Sequence, residues 1–332
     1  MASHEPSAAA AVRHFSDPDD FGDALLGGQF DYLPMPGQVF SATLRLLRVD
    51  DLVVQRSDTS AHIVRGAIEA GLAALIVPLR HPAKPARMNG DTAAGAQAFL
   101  APGGVEFHGH CPSATAWAAV SLPLPQLAAL AELAPQQLGK LGDASLLSLP
   151  QAAAARLAGT LDQAARMAHE LPSELALPGR ATGLATALRE AVADTLTADA
   201  RLLSRPRAGR EAQRVVRLAE EFMRTQIGQP IYREQLCTSL GVSLRKLHDA
   251  FVTVCGVSPQ TYLKIRRLSL ARQALRGASV RPSLVKSVAL AHGFWHLGYF
   301  SRDYRALFGE PPSHTVKLAA GGAFAEAGPY RA

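Results

Sequence analysis

The chain has 332 residues, with 34 Lys and Arg against 28 Asp and Glu for a net charge of +6. That length supports two domains that each bury a core, so no metal or disulfide staple is required. Cys111, Cys237 and Cys255 are scattered without a C-x-x-C pair, as packing residues in a reducing cytosol would be. Neither a leader peptide nor a run near the ~20 apolar residues of a membrane span is visible, so a cytoplasmic protein with no membrane contact is expected.

Residues 1–12 are Ala-rich and small, and are expected to form a disordered tail. Strand patterns follow. Phe40, Ala42, Leu44 and Leu46 alternate with Ser41, Thr43 and Arg45, and 52–54, 62–68, 72–79, 98–101 and 115–122 are further short apolar or alternating runs. Turns at Pro34-Met35-Pro36-Gly37, Asp50-Asp51 and Pro102-Gly103-Gly104 punctuate them, which predicts a β-sandwich or barrel. After Pro125 the composition turns to helix formers, and 126–133, 161–171 and 182–203 read as helices. Leu184, Leu188, Val192 and Leu196 make a stripe on the last of these, a core face by default and a partner face otherwise. The expected organisation is a β-rich domain with a helical extension over 13–203, a linker over 204–209, an all-α domain over 210–318 and a flexible tail over 319–332.

The charge is uneven. Residues 207–317 hold 18 basic and 7 acidic side chains, a net +11, which leaves −5 on the rest of the chain. Basic charge gathered on one segment is what binding to a phosphate backbone requires.

That segment opens with a helix over 210–225 that should bury Val215, Ala219 and Phe222. A short helix, a glycine turn and a second helix then occur twice, the local grammar of a helix-turn-helix. In the first copy Leu236 and Leu240 face inward, Gly241 turns the chain and Ser243 can cap the next helix. Leu244, Leu247, Phe251 and Val254 recur at helical spacing and are expected in the core, which puts Arg245, Lys246, His248 and Asp249 outside. In the second copy Gly293 turns the chain. Phe294, Phe300, Tyr304 and Phe308 read as packing residues, leaving Gly298, Tyr299, Ser301, Arg302 and Arg305 outside. Ser258 and Pro259 start a helix between the copies that can serve as a strut, holding two readers at the spacing of successive major grooves, roughly 34 Å.

Taken together, Gly241-Val242-Ser243, Gly256-Val257-Ser258-Pro259, Arg266-Arg267-Leu268 with Ala271-Arg272, Gly293-Phe294, Tyr299-Phe300-Ser301-Arg302 and Phe308-Gly309-Glu310-Pro311-Pro312-Ser313 resemble the DNA-binding domain of the AraC/XylS transcriptional regulators. The resemblance covers residues 210–317, about a third of the chain. It implies that Arg245, His248 and Asp249 in the first copy, and Leu297, Gly298, Tyr299 and Arg302 in the second, occupy base-reading positions. Asp249 is acidic where a basic or amide residue is common, and Leu297 with Gly298 offers few hydrogen bonds. The resemblance also implies an α+β protein whose N-terminal, cupin-like barrel or sandwich senses a small molecule or receives a protein partner. Its partners would be promoter DNA, RNA polymerase and a second copy of itself, with activation as the expected sign of control.

His108 and His110 share a strand face as an H-x-H pair, but a metal needs three or four converging ligands and only two are visible. They are expected as loop or pocket histidines, with His62, His81 and His169 as surface or satisfied polar groups. No phosphate-cradling, dinucleotide, nucleophile-elbow or H-E-x-x-H pattern occurs, so no cofactor is expected and the chain is not read as an enzyme. The rival reading is a cupin-like metalloenzyme fused to a DNA-tethering domain.

Overall fold

A computed structural model describes residues 9–80, 83–132, 144–175, 177, 179–198, 200–203, 205–226, 231–277 and 284–325. The chain divides into two units, Met1–Tyr32 with Phe40–Arg210, and Leu33–Val39 with Glu211–Ala332.

The first unit is β-rich. Its strands are β1 (Ala9–Phe15), β2 (Gly28–Pro34), β3 (Ala42–Val49), β4 (Leu52–Thr59), β5 (His62–Ile68), β6 (Leu72–Arg80), β7 (Arg87–Met88), β8 (Asp91–Thr92), β9 (Gln97–Pro102), β10 (Glu106–Cys111), β11 (Thr115–Pro123), β12 (Ser145–Ser148) and β13 (Arg201–Leu202). Among the described residues they build two sheets, ordered β1-β3-β4-β11-β6-β9-β12-β13 and β2-β5-β10-β7-β8. Edge strand β1 pairs antiparallel with β3, Ala9 opposite Arg48 and Phe15 opposite Ala42. Backbone pairing thus orders Ala9–Val12, where composition suggests only a loose tail. An edge strand needs little more than a partner's free carbonyls and amides.

Among the described residues five helices follow or interrupt the strands: α1 (Pro18–Ala24), α2 (Leu124–Leu130), α3 (Gln151–Glu170), α4 (Pro172–Leu175) and α5 (Arg180–Thr197). Helix α3 begins ten residues before the predicted start, because its first half is alanine-rich and buries only Ala153 and Leu157, which gives helix propensity but little periodic signal. Its Leu157 and Leu161 lie fully buried with Leu47, Val54, Leu75 and Val120 of the larger sheet. Helix α5 stops at Thr197, and Arg201–Leu202 pair with β12 instead of prolonging it. Its stripe is a core face, since Leu188 and Val192 are fully buried and Leu184 and Leu196 pack against the same cluster. His81 and Leu133, the latter the predicted end of the preceding helix, lie outside the described residues.

The second unit is helical: α6 (Arg207–Thr225), α7 (Arg233–Leu240), α8 (Leu244–Cys255), α9 (Pro259–Gly277), α10 (Leu284–Ala291), α11 (Leu297–Phe308) and α12 (Pro312–Ala325). Helix α9 is the hub. It contacts α8, α10 and α12, and buries Tyr262, Leu263, Ile265, Leu268, Ala271 and Leu275. Its 19 residues span about 28 Å at the helical rise. Helix α6 buries Val215, Val216, Ala219 and Met223, while Phe222 is only half-buried. The same helix buries the carboxylate of Glu220, which accepts a hydrogen bond from the Tyr262 hydroxyl. Helix α12 runs through Ala325, past the point at which a loose tail is expected.

The cap of α8 is the one the sequence suggests. Ser243 has extended backbone, and its Oγ accepts a 3.2 Å hydrogen bond from the Lys246 amide. Ser243→Ala should therefore cost about 1 kcal/mol in urea unfolding of the full chain followed through its helical signal, with Ser243→Asp restoring most of it.

Candidate functional site

In each helix-turn-helix the turn depends on a left-handed glycine, Gly241 at φ 62° and Gly293 at φ 79°. A Cβ at Gly293 would also fall 3.0 Å from the Arg267 guanidinium carbon, so Arg267 would have to yield by a few tenths of an ångström on top of the conformational demand for glycine. Behind the first turn, Leu247, Ala250, Phe251, Val254 and Cys255 face inward from α8. Leu244 does not join them and is 46% exposed. It is the first residue of its helix, and side chains lean toward the N-terminus, so it projects beyond the packed surface.

On the outer face of α8, Arg245, His248 and Asp249 are all exposed. The Arg245 side chain is 92% exposed and lies 3.7 Å from the Asp249 carboxylate. Such a pair is weak and readily exchanged for another partner. Lys246 is placed differently, its Nζ 2.9 Å from Glu211 on α6. Arg214 holds the other side of that carboxylate, and hydrogen bonds from Arg214 and then Lys246 pull the Glu211 carboxyl down to about 2. Lys246 thus fastens α8 to α6.

Helix α11 buries Phe300, Tyr304, Leu307 and Phe308, and half-buried Phe294 stacks 5.0 Å from Phe300. Its outer face carries Leu297, Gly298, Tyr299, Ser301, Arg302 and Arg305, all exposed. The Arg302 guanidinium sits 5.0 Å over the Tyr299 ring and 3.3 Å from Asp303, which Lys264 of α9 also reaches at 3.4 Å. Exposed Trp295 and His296, at the entry to α11, extend the same face, with His296 edge-on to Tyr299 at 5.9 Å. Sequence periodicity misses these two because they precede the helix. Arg272 faces inward, its guanidinium 4.5 Å over Phe308 and 3.4 Å from Glu310, which assigns it to packing within the domain.

The first unit holds a cavity of about 140 Å³ between its strands. Its walls include Phe30, Ile68, Ile76, Phe99, Phe107 and Trp117, and its polar lining Tyr32, His62, Cys111, Thr115 and Ser121. No Lys, Arg, Asp or Glu is among the lining residues. His108 and His110 are absent from the lining too. On β10 they alternate with Phe107, Gly109 and Cys111, which do face the cavity. His62, by sequence a bland position, lines the cavity from β5 and is 2% exposed. Burial pushes its pKa down to about 4, against a backbone hydrogen bond to Ser60 that pulls the other way. His110 is likewise depressed to about 4, by burial and by Arg87. Burial raises the Cys111 thiol to about 12. Among the described residues no three His, Cys, Asp or Glu gather to hold a metal, and no helix is long and apolar enough to cross a membrane.

A family model for the helix-turn-helix domain matches residues 236–317. The XylDLEGF operon transcriptional activator of Pseudomonas putida is 34% identical over 105 residues, 32% of each chain. A second P. putida protein of that description is 36% identical over 106 residues, 32% of this chain and 65% of that one. A solved structure described as a probable AraC family transcriptional regulator from Rhodopseudomonas palustris is 37% identical over 32% of this chain and 97% of its own. Its TM-score is 0.29, so that likeness rests on sequence. The chain spans about a third of the length of the first of these curated relatives. Each relative is described as a regulator and none as an enzyme. Over its C-terminal third the chain thus carries a helix-turn-helix domain similar to that of the AraC/XylS transcriptional regulators.

Proposed function

We propose that the chain is a sequence-specific transcriptional regulator, an activator working with RNA polymerase in the cytoplasm, whose C-terminal domain reads promoter DNA through α8 and α11. The N-terminal unit, a cupin-like sandwich or barrel of two sheets, binds a small molecule in its cavity and alters that reading, and a homodimer presents two such domains. The observation that carries the DNA-binding reading is the pair of helix-turn-helices joined through one α9 strut, with unburied polar faces, in a segment of net charge +11. Counterion release at this basic surface supplies affinity, and a few side chains in the groove choose sequence.

On this reading Arg245, His248 and Asp249 meet bases from α8, and Leu297, Gly298, Tyr299, Ser301, Arg302 and Arg305 form the second contact face. Lys246 reaches phosphate only by leaving Glu211. The Arg245 side chain is 92% exposed with only a weak 3.7 Å pair to Asp249, which supports a guanidinium available to a base edge. Selection from randomised duplexes by the full chain at moderate salt tests the reading. Arg245→Ala should then weaken the selected site by about 1–3 kcal/mol and relax preference at one position. An equal loss on selected and random DNA would assign Arg245 to phosphate, and no selected sequence at all would overturn the function.

A further inference from the structure

The cavity of the first unit has a chemistry more specific than its volume. Dry apolar cavities of about 150 Å³ accept a single benzene ring, and this one is about 140 Å³ with aromatic walls. An ion placed there would lose its hydration with no opposite charge among the described residues to replace it, since none of those lining the space is charged. The polar groups that remain are neutral. Gln55 exchanges hydrogen bonds with both backbone groups of Leu26, and the Gln97 carbonyl accepts from the Ala94 amide, so the acceptor ends of both amides are engaged and what they still offer is N–H.

His62 is the directional group. Its Nδ1 lies 2.8 Å from the Ser60 carbonyl oxygen, which can only accept, so Nδ1 carries the proton. In a neutral ring that leaves Nε2 as a bare acceptor, and it has no hydrogen-bond partner among the described residues. Tyr32, 5.0 Å away ring to ring, and Cys111 close the same end of the cavity.

We propose that the cavity takes an uncharged, single-ring aromatic molecule whose hydroxyl or N–H donates to Nε2 of His62. This rests on the reading of the first unit as a small-molecule sensor, and the test separates the two. The chain has two tryptophans, Trp117 in the cavity wall and Trp295, so Trp295→Phe leaves fluorescence that reports on the cavity alone.

Three probes of one shape, 4-methylbenzyl alcohol, 4-methylbenzoate and 4-methylbenzylammonium, are titrated into Trp295→Phe full-length protein. The alcohol should bind about tenfold or more tightly than either ion. Equal or tighter binding of an ion would overturn the ligand class while leaving the sensor reading intact. If no probe alters Trp117 emission at millimolar concentration, this inference fails, while the sensor reading falls only if a chemically diverse small-molecule library also leaves the thermal midpoint of the unit unmoved. The second arm is His62→Phe in the same background. It should bind p-xylene as well as or better than the parent does while losing the preference for the alcohol. A preference unchanged by that substitution would show that His62 does not hold the ligand's donor.

Discussion

Phe251→Ala should remove about 3–5 kcal/mol from the stability of the C-terminal unit, the cost typical of truncating a buried phenylalanine. The ring is fully buried on α8 and meets Tyr262 of α9 edge-on at 5.3 Å, with Leu247 and Val254 on either side along its own helix. Tyr262 is itself tied to Glu220 of α6 through its hydroxyl, so this one ring sits where three helices meet. The cavity left behind cannot be filled by a small shift of Tyr262, because its hydroxyl is held by the buried Glu220 carboxylate. Against a typical domain stability of about 5–15 kcal/mol, the loss is large enough to populate unfolded domain at ordinary temperature. Urea unfolding followed by helical circular dichroism measures it. Arg245→Ala, at a fully solvated position, should leave the same curve unmoved, so that loss of DNA binding by unfolding and by a missing contact are told apart. A Phe251→Ala midpoint within experimental error of the parent would mean that α8 and α9 are not packed as described.

What could be read from the sequence follows from how each signal arises. Gly241, Ser243, Ser258 and Gly293 announce turns and caps through local backbone chemistry, and the structure uses Gly241 and Gly293 at positive φ and Ser243 as an N-cap. Phe300, Tyr304 and Phe308 are large enough for a period of three or four to stand out, and all are buried. The first half of α3 is alanine-rich and hides the same periodicity behind small side chains. Leu244 obeys the spacing but sits at a helix start, where nothing packs over it. For the cavity, the limiting fact was strand parity. His108 and His110 draw the eye as a pair of candidate ligands, yet the face that matters carries Phe107, Gly109 and Cys111, and only pairing of β10 with β5 brings it opposite the aromatic walls. His62 could not have been found from its neighbours, since its partners Tyr32 and Cys111 come from other strands. Lys246 illustrates the same limit for charge, because its alliance with Glu211 spans 35 positions of sequence.

The N-terminal unit should lose stability steeply between pH 6.5 and 4, well before ordinary carboxylate titration is complete. His62 and His110 are buried, and both have pKa values depressed from 6.5 to about 4. Within that window the unfolded chain binds protons that the folded unit refuses, so stability rises with pH. The contribution is fully present above about 6.5 and is lost as pH falls toward 4. A shift of that size corresponds to about 3 kcal/mol per histidine at order of magnitude. The two are not independent. His110 lowers His62 electrostatically, while Arg87 adds to the depression of His110 and the Ser60 carbonyl opposes that of His62, so the pair should yield less than twice the single value. The helical unit supplies an internal comparison. Its pulled-down carboxylate Glu211 has a pKa of about 2, and its contribution begins to fade only once pH drops below 4.5. Thermal unfolding of the full chain at about pH 7, 6, 5 and 4.5 should therefore show the β-sheet signal falling in midpoint ahead of the helical one. His110→Gln should flatten that dependence by roughly the share of one proton. A sheet midpoint that stays level from pH 6.5 to 4.5 in the parent would mean that both rings accept protons in place, and that they lie in contact with water.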